Sequence, residues 1–349
     1  MKEICIDLKK LYHINEDVQV LNLLDGYNSP LKGTKRQLLN IIDFKITRFP
    51  DGQRTIKIGQ FDLKKPVLLL TRIVNGEDLL LLGQVCDVLN RMMANYTVVI
   101  TYLTAARSDR LFDHMQSLDL KVVVKTIDLY TREAEYVCIL DVHNFSAVKR
   151  MSSNPDKYIN ISIYDHENHG NNVAFNTDIF AVIYGLETRG KNLIVVYPDD
   201  SASRTNVLGC DSITFEKERN LETGEIIRFK PKSYNYKVAQ NIWPVRNQKI
   251  IGETQIEDHI KSCKDSEFII VDDLCDGGST FIKVSEWFEK NGLNPKECLS
   301  LITPHMVQEW GINRMCKTFK NVITTNSFEN WQYSSAVNNN KNLIIASLY

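Results

Sequence analysis

The chain has 349 residues, 43% of them hydrophobic and 24% charged, with a formal net charge of −1. That length suggests about two domains; the near-neutral charge excludes a global field for nucleic acid or an anionic membrane, and no apolar run approaches the roughly 18 residues a membrane helix needs. Eight scattered cysteines without a CxxC pair argue against a disulfide framework or a structural zinc, and with the acidic, alternating start they predict a cytoplasmic protein.

Residues 18–21 are strand-like, within a mixed region that runs to about Asn40. Residues 43–49 and 54–58 alternate around the turn Pro50-Asp51-Gly52, the pattern of a hairpin or projecting flap. Residues 67–70 form an apolar run of strand length. Residues 79–93 have a helical period, with Leu82, Val85, Cys86 and Leu89 on one face. The apolar run 98–102 is followed by Ala106-Arg107-Ser108-Asp109-Arg110. Residues 122–124 and 126–132 continue the alternation, and residues 136–140 form a strand that ends in Asp141-Val142-His143. The polar run 151–156 is the best domain boundary, which gives domains 1–153 and 154–349.

The second half repeats the plan. Residues 193–196 lead into Tyr197-Pro198-Asp199-Asp200-Ser201-Ala202-Ser203-Arg204. Residues 211–215 are short and strand-like, followed by Glu216-Lys217-Glu218-Arg219. Residues 298–302 end in Thr303-Pro304-His305, and 322–326 form a late strand. His166 and His169 sit in a polar stretch that reads as a loop rather than a metal site. Strands alternating with helices, with polar clusters after strand ends, predict an α/β fold with parallel sheets.

The chemistry concentrates in Phe268-Ile269-Ile270-Val271-Asp272-Asp273-Leu274-Cys275-Asp276-Gly277-Gly278-Ser279-Thr280, followed by an amphipathic segment over 281–290. Four apolar residues predict a strand buried on both faces. Acids at its carboxyl end lie where open α/β sheets bind ligands. Paired carboxylates suit a sugar diol or a hydrated metal ion. The glycines admit a close ligand, and a helix start with Ser279 and Thr280 hydroxyls suits a phosphate. A sugar phosphate is the ligand these residues propose.

This acid-glycine stretch resembles the PRPP-binding loop of type I phosphoribosyltransferase-fold proteins. Five further segments make the chain similar to the ribose-phosphate diphosphokinases (PRPP synthetases): Arg48-Phe49-Pro50-Asp51-Gly52-Gln53, Ala106-Arg107-Ser108-Asp109-Arg110, Asp141-Val142-His143, Pro198-Asp199 and Lys217-Glu218-Arg219. They follow the family's order over about residues 44–330. The resemblance implies two tandem phosphoribosyltransferase-like domains, ATP as co-substrate, Mg²⁺, and assembly into a homodimer or homohexamer with the Phe49–Asp51 flap at a subunit interface. Lys217 and Arg219 are then the catalytic cations. Phe49, Asp51, Gln53, Arg107, Ser108, Asp109 and His143 are the expected ATP contacts. Asp272, Asp273, Asp276, Gly277, Gly278, Ser279 and Thr280 bind the ribose phosphate, and His143 and Asp199 lie near the metal.

Five positions depart from the family pattern, two of them in the turn. The turn, usually Asp-Thr-Gly/Ala-Gly-Thr, is Asp276-Gly277-Gly278-Ser279-Thr280 here. Ser108 replaces a Gln, Gln53 a Glu, and Asn75 an Arg. The softened turn leaves two acceptors open for the implied diphosphate transfer: ribose 5-phosphate, giving PRPP, or ADP-ribose, giving a 1-diphosphate for nicotinamide nucleotide synthesis. A base-transferring phosphoribosyltransferase explains the acid-glycine stretch but not the flap or residues 106–110. A catalytically silent regulatory subunit is a further alternative, against which Lys217 and Arg219 are both present.

Overall fold

Buried strands of four to eight residues, most of them parallel, set the architecture of this computed structural model, which describes residues 2–5, 18–24, 40–163, 172–174, 192–200, 202, 210–220, 225–236, 249–331 and 334–348. The chain divides into two units, and its ends and middle change sides. Strand β1 (Lys2–Cys5) belongs to the C-terminal unit.

In the N-terminal unit, β2 (Gln19–Asn22), β3 (Asn40–Ile41), a hairpin of β4 (Phe44–Arg48) and β5 (Arg54–Ile58), and β6 (Val67–Ile73) come first. Helix α1 (Gly76–Arg91), β7 (Tyr96–Leu103), α2 (Asp119–Tyr130), β8 (Val137–Leu140), α3 (Phe145–Met151), β9 (Tyr158–Ser162) and β10 (Asn172–Ala174) follow. The run at 151–156 closes α3 and leads through a single 3₁₀ turn into β9 of the same sheet. Seven strands form a parallel sheet in the order β10-β9-β8-β7-β6-β2-β3. Its central strands are largely apolar because helices cover them. Leu69, Val98, Ile100 and Ile139 pack against Leu82, Val85, Leu89, Val124 and Ile127. Asn75, at the family's arginine position, caps α1. Its Oδ1 accepts from the Glu77 and Asp78 amides at 2.8 and 3.2 Å, and Asp78 Oδ2 accepts from the Asn75 amide at 3.2 Å. Residues 122–124 and 126–132, separate segments by sequence, fall largely in one helix, α2. Burial of Leu120, Val124 and Ile127 on a single face overrides the local preference of three successive valines for strand.

The C-terminal unit contains β11 (Leu193–Tyr197), β12 (Asp211–Arg219), β13 (Ile226–Asn235), β14 (Lys249–Ile251), α4 (Glu253–Ser262), β15 (Glu267–Val271), β16 (Leu274–Cys275) and α5 (Ser279–Lys290). It continues with α6 (Pro295–Cys298), β17 (Leu299–Ile302), β18 (His305–Met306), α7 (Glu309–Thr318), β19 (Val322–Thr325), α8 (Ser335–Asn338) and β20 (Leu343–Ser347). Nine strands run β1-β20-β19-β17-β15-β11-β12-β13-β14. All pairs are parallel except those that β13 makes with β12 and β14. The expected α/β class with mainly parallel sheets flanked by helices is observed. Among the described residues no helix is long and apolar enough to cross a membrane.

A second element differs from its sequence reading. The charged segment 216–219 continues strand β12 instead of leaving it. Lys217 stands opposite Phe229 in an antiparallel ribbon, with bulges after Thr214 and Glu218. The ribbon is stabilised across its strands. Phe215 and Phe229 stack with centroids 4.8 Å apart, and Glu216 pairs with Lys230, directly opposite, at 3.0 Å.

Candidate active site

Strand β15 is fully buried between β11 and β17; after Glu267, which pairs with Lys320, its sequence is apolar until it emerges at Asp272. The loop beyond is tied down by backbone bonds. The Asp272 amide donates to Ile302 O at 3.3 Å, the His305 amide to Asp273 O at 3.2 Å, and the Val307 amide to Cys275 O at 3.1 Å. A two-stranded parallel ladder, β16 with β18, fixes the middle of the loop. The Asp273 amide donates to Asp272 Oδ1 at 3.0 Å, which sets the two carboxylates side by side at the strand end.

Neighbouring strands bring further charge to the same place. Asp199 follows β11, the strand beside β15, and its Oδ1 accepts from the Ala202 amide at 2.9 Å. Lys217 comes from β12, on the other side of β11, and forms an ion pair with Asp199. The Asp272 carboxyl is pushed well above the usual carboxylate range, first by burial and then by the negative charges of Asp273 and Asp199, while Lys217 opposes the shift. Asp199, Lys217, Asp272 and Asp273 therefore act as one electrostatic group, assembled from three adjacent strands. The Arg219 side chain lies outside the described residues, as do Ser201, Ser203, Arg204, His166 and His169.

The glycine turn opens α5. Gly278 is its N-cap in the left-handed region, φ +75°, and no side chain caps the helix. Helix α5 has no acid in its first turn, unlike α1 with Glu77 and Asp78, a composition that suits an anion at the helix start. Ser279 is exposed and Thr280 is 9% exposed. The glycines are also required by their neighbours. A Cβ on Gly277 would collide with the Trp310 ring, and one on Gly278 would lie 2.8 Å from Met315 Sδ. A Cβ on Gly311 would strike the Asp276 carbonyl. Arg314 Nη1 donates to Gly277 O at 3.1 Å. Helix α7 thus packs its backbone directly onto the turn.

In the N-terminal unit, residues 48–54 close the β4–β5 hairpin. The Phe49 amide donates to Gln53 O at 2.8 Å, and the Gln53 amide to Asp51 Oδ1 at 3.0 Å. Phe49 is 47% exposed, unusual for a phenylalanine with no ligand or partner surface. Arg48 and Arg54, the pair next to the turn, both hold Glu77 of α1, which ties the turn end of the hairpin to that helix. Arg107, Ser108 and Asp109 follow β7, and His143 follows the adjacent β8. Asn144 joins the two segments: its Nδ2 donates to Asp109 Oδ2 at 2.5 Å, and its Oδ1 caps α3 at Ala147 N. Ala105 and Asp141 adopt positive φ of 60° and 37° at these strand ends, the kind of local strain that collects at binding sites.

Phe49, Asp51, Gln53, Arg107, Ser108, Asp109 and His143 thus belong to the N-terminal unit, and Asp199, Lys217 and residues 272–280 to the C-terminal unit. Among the described residues no group of three or more His, Cys, Asp or Glu side chains is gathered as a metal cage. A cavity of about 320 Å³ lined by Lys125, Asp128, Arg132 and Lys157 lies among α2 and the 3₁₀ turn, apart from these strand ends. Sequence motifs do not reveal Asn144, Trp310, Gly311, Arg314 or Met315. The available signal was the spacing of 310, 311, 314 and 315, which places them on one face of a helix.

No protein-family model matches the chain. The ribose-phosphate pyrophosphokinase of Pyrococcus abyssi is 25% identical over 297 residues, covering 82% of this chain and 85% of that relative. The ribose-phosphate pyrophosphokinase of Sulfolobus acidocaldarius is 25% identical over 288 residues, covering 80% of this chain and 82% of the relative. Among solved structures, the phosphoribosylpyrophosphate synthetase of Mycobacterium smegmatis matches with a TM-score of 0.60 over 95% of this chain and 94% of that one, at 12% identity, a likeness of fold.

Proposed function

We propose that this chain, which belongs to the ribose-phosphate pyrophosphokinase family, is an enzyme that transfers the β,γ-diphosphate of ATP to the anomeric 1-hydroxyl of a ribose-5-phosphate unit and releases AMP. The observation that carries this reading is the joint placement of Lys217, Asp199 and the Asp272–Asp273 pair above a glycine turn at a helix start. A cation, a diol-binding acid pair and a phosphate cradle are the parts such a transfer needs.

In the proposed reaction the O1 hydroxyl attacks the β-phosphorus, the bond to the α-phosphate oxygen breaks, and the hydroxyl proton leaves to solvent. Positioning and charge stabilisation dominate phosphoryl transfer. Asp272 and Asp273 accept hydrogen bonds from the ribose 2- and 3-hydroxyls, and Asp276 orients O1. The amides and hydroxyls of residues 277–280 hold the 5′-phosphate. Lys217 leaves Asp199 to meet the negative charge that develops on the moving diphosphate, with Arg219 beside it in sequence. Arg107, Ser108, Asp109 and His143 contact ATP, and Phe49, Asp51 and Gln53 meet adenine across a subunit interface in a homodimer or homohexamer.

Asp199 offers a hard oxygen that suits Mg²⁺, with His143 as the other residue expected near it, and the negative charge crowded around Asp272 is of the kind a divalent cation would relieve. Bound there, Mg²⁺ would neutralise phosphate charge while keeping several waters, so no all-protein cage is needed. The acceptor is ribose 5-phosphate or ADP-ribose. Coupled AMP-release assays with each acceptor test the proposal: ATP- and acceptor-dependent AMP formation is the expected result, and no turnover with either would remove the diphosphokinase reading.

A further inference from the structure

Trp310 is out of place as a core residue. It is 56% exposed, whereas Trp287 and Trp331 in the same unit are each 6% exposed. An indole is costly to leave in water unless it meets a partner, and Trp310 stands at the glycine turn. The six-membered edge of its ring fills the place where a Gly277 Cβ would be. Arg314, one helical turn later on the same face of α7, donates one N–H to Gly277 O at 3.1 Å and is itself exposed. A guanidinium has five N–H groups, and no carboxylate among the described residues forms an ion pair with this one. Gly311, between them, makes this placement possible, because only a residue without a Cβ lets α7 come so close to the Asp276 carbonyl.

We infer that Trp310 and Arg314 form the subsite for whatever continues beyond the acceptor's 5′-phosphate, and that this is a second phosphate bearing an aromatic base. The inference rests on the diphosphokinase reading above and deepens it by naming the acceptor class as a nucleoside diphosphate-linked ribose. A terminal phosphate monoester is best held by a closed cup of side-chain and backbone donors. Here the turn offers a side-chain-free Gly277, and its rim carries an exposed aromatic and a guanidinium. That pair matches a base and a phosphate: the indole stacks on the base, and the planar fork binds phosphate oxygens. Base–aromatic stacking is sequence-tolerant, so a purine or a pyrimidine fits the platform, and ADP-ribose is the probe to use.

The test compares the full chain with Trp310→Ala, Trp310→Phe and Arg314→Ala, using ADP-ribose and ribose 5-phosphate as acceptors, with calorimetric Kd values for both ligands. The ratio of kcat/KM for ADP-ribose to that for ribose 5-phosphate is expected to fall roughly 10-fold or more in Trp310→Ala and Arg314→Ala, largely through KM, and to be mostly restored in Trp310→Phe. A merely structural role for α7 would depress both acceptors alike and leave the ratio unmoved, which overturns the inference. So does a ratio that rises in Trp310→Ala, because the indole is then a wall, or a wild-type chain that uses ribose 5-phosphate alone. In all three cases the diphosphokinase reading stands. If neither acceptor releases AMP, that reading falls, and the Kd for ADP-ribose decides the subsite by itself: weakening in Trp310→Ala supports it, and no change removes it.

Discussion

The Lys217 ammonium rests on the Asp199 carboxylate, and the two residues reach each other from neighbouring strands. Both are about one-fifth exposed, so the pair is accessible to a ligand yet shielded enough for its charge to act at short range. The bond holds the proposed catalytic cation beside the acid pair while no phosphate is present. Lys217→Ala is expected to lower the rate of AMP formation by on the order of 10³-fold, by analogy with other cations that stabilise phosphoryl transfer. It also removes the one group that opposes the raised Asp272 pKa, so the acid limb of any residual activity should move to higher pH. Single-turnover rates across pH in wild type and variant check both points. An unchanged rate would remove Lys217 from the mechanism.

Asp272 gives a stability prediction of definite sign. Its folded-state pKa is raised, so the folded protein holds a proton that the unfolded chain gives up near its ordinary value of about 4. Stability from this group is full below that value and is lost as pH rises through the folded pKa. Asp272→Asn removes the penalty. The variant should melt higher than wild type at pH 8, by about 2–4 °C for each kcal/mol recovered, and the difference should vanish as pH falls towards 4. The same variant should bind the acceptor at least 10-fold more weakly, because one diol acceptor is gone. Melting curves at several pH values, set beside acceptor KM, show whether stability and function trade off here.

Gly278 and Gly311 are expected to be intolerant of even one methyl group. Gly278→Ala puts a Cβ on a left-handed residue and against Met315, and Gly311→Ala drives one into the Asp276 carbonyl. The first combines backbone strain with overpacking, each typically about 1–3 kcal/mol. Both variants should melt lower and raise acceptor KM. Gly292, also at positive φ but with open space around it, is the control: Gly292→Ala should lower the melting point without moving acceptor KM.

Asn144 separates capping from site geometry. Asn144→Ala loses the α3 cap, worth about 0.5–2 kcal/mol, and the hydrogen bond to Asp109. Asn144→Ser keeps a cap and still loses the amide donor. If the Asn144–Asp109 bond positions the nucleotide segment, KM for ATP should rise several-fold in both variants, while only the alanine variant loses stability. A KM that follows the melting point instead would make Asn144 a cap alone.

The main features of the fold were legible because they are local. The apolar run over 268–271 is a strand buried on both faces, and the acids and glycines that end it are where backbone chemistry requires them. The alternating runs around Pro50-Asp51-Gly52 form the hairpin. The period of Leu82, Val85, Cys86 and Leu89 places the inner face of α1. What escaped depends on distant pairing. Nothing in residues 2–5 indicates that they join β20, more than three hundred residues later. The charged run at Lys217 becomes a strand only because Lys230 and Phe229 stand across from Glu216 and near Phe215. The Trp310 and Arg314 side chains meet the glycine turn across a gap of more than thirty residues, a contact that no local period records.

The most direct test of the central claim is the fate of phosphorus. With purified full-length chain, Mg²⁺, ATP and each acceptor, ³¹P NMR follows the products. The account predicts AMP in step with a diphosphate ester on the acceptor's anomeric carbon, and loss of both signals in Lys217→Ala. Formation of ADP in place of AMP, or release of free diphosphate from PRPP by a base without ATP, would contradict it.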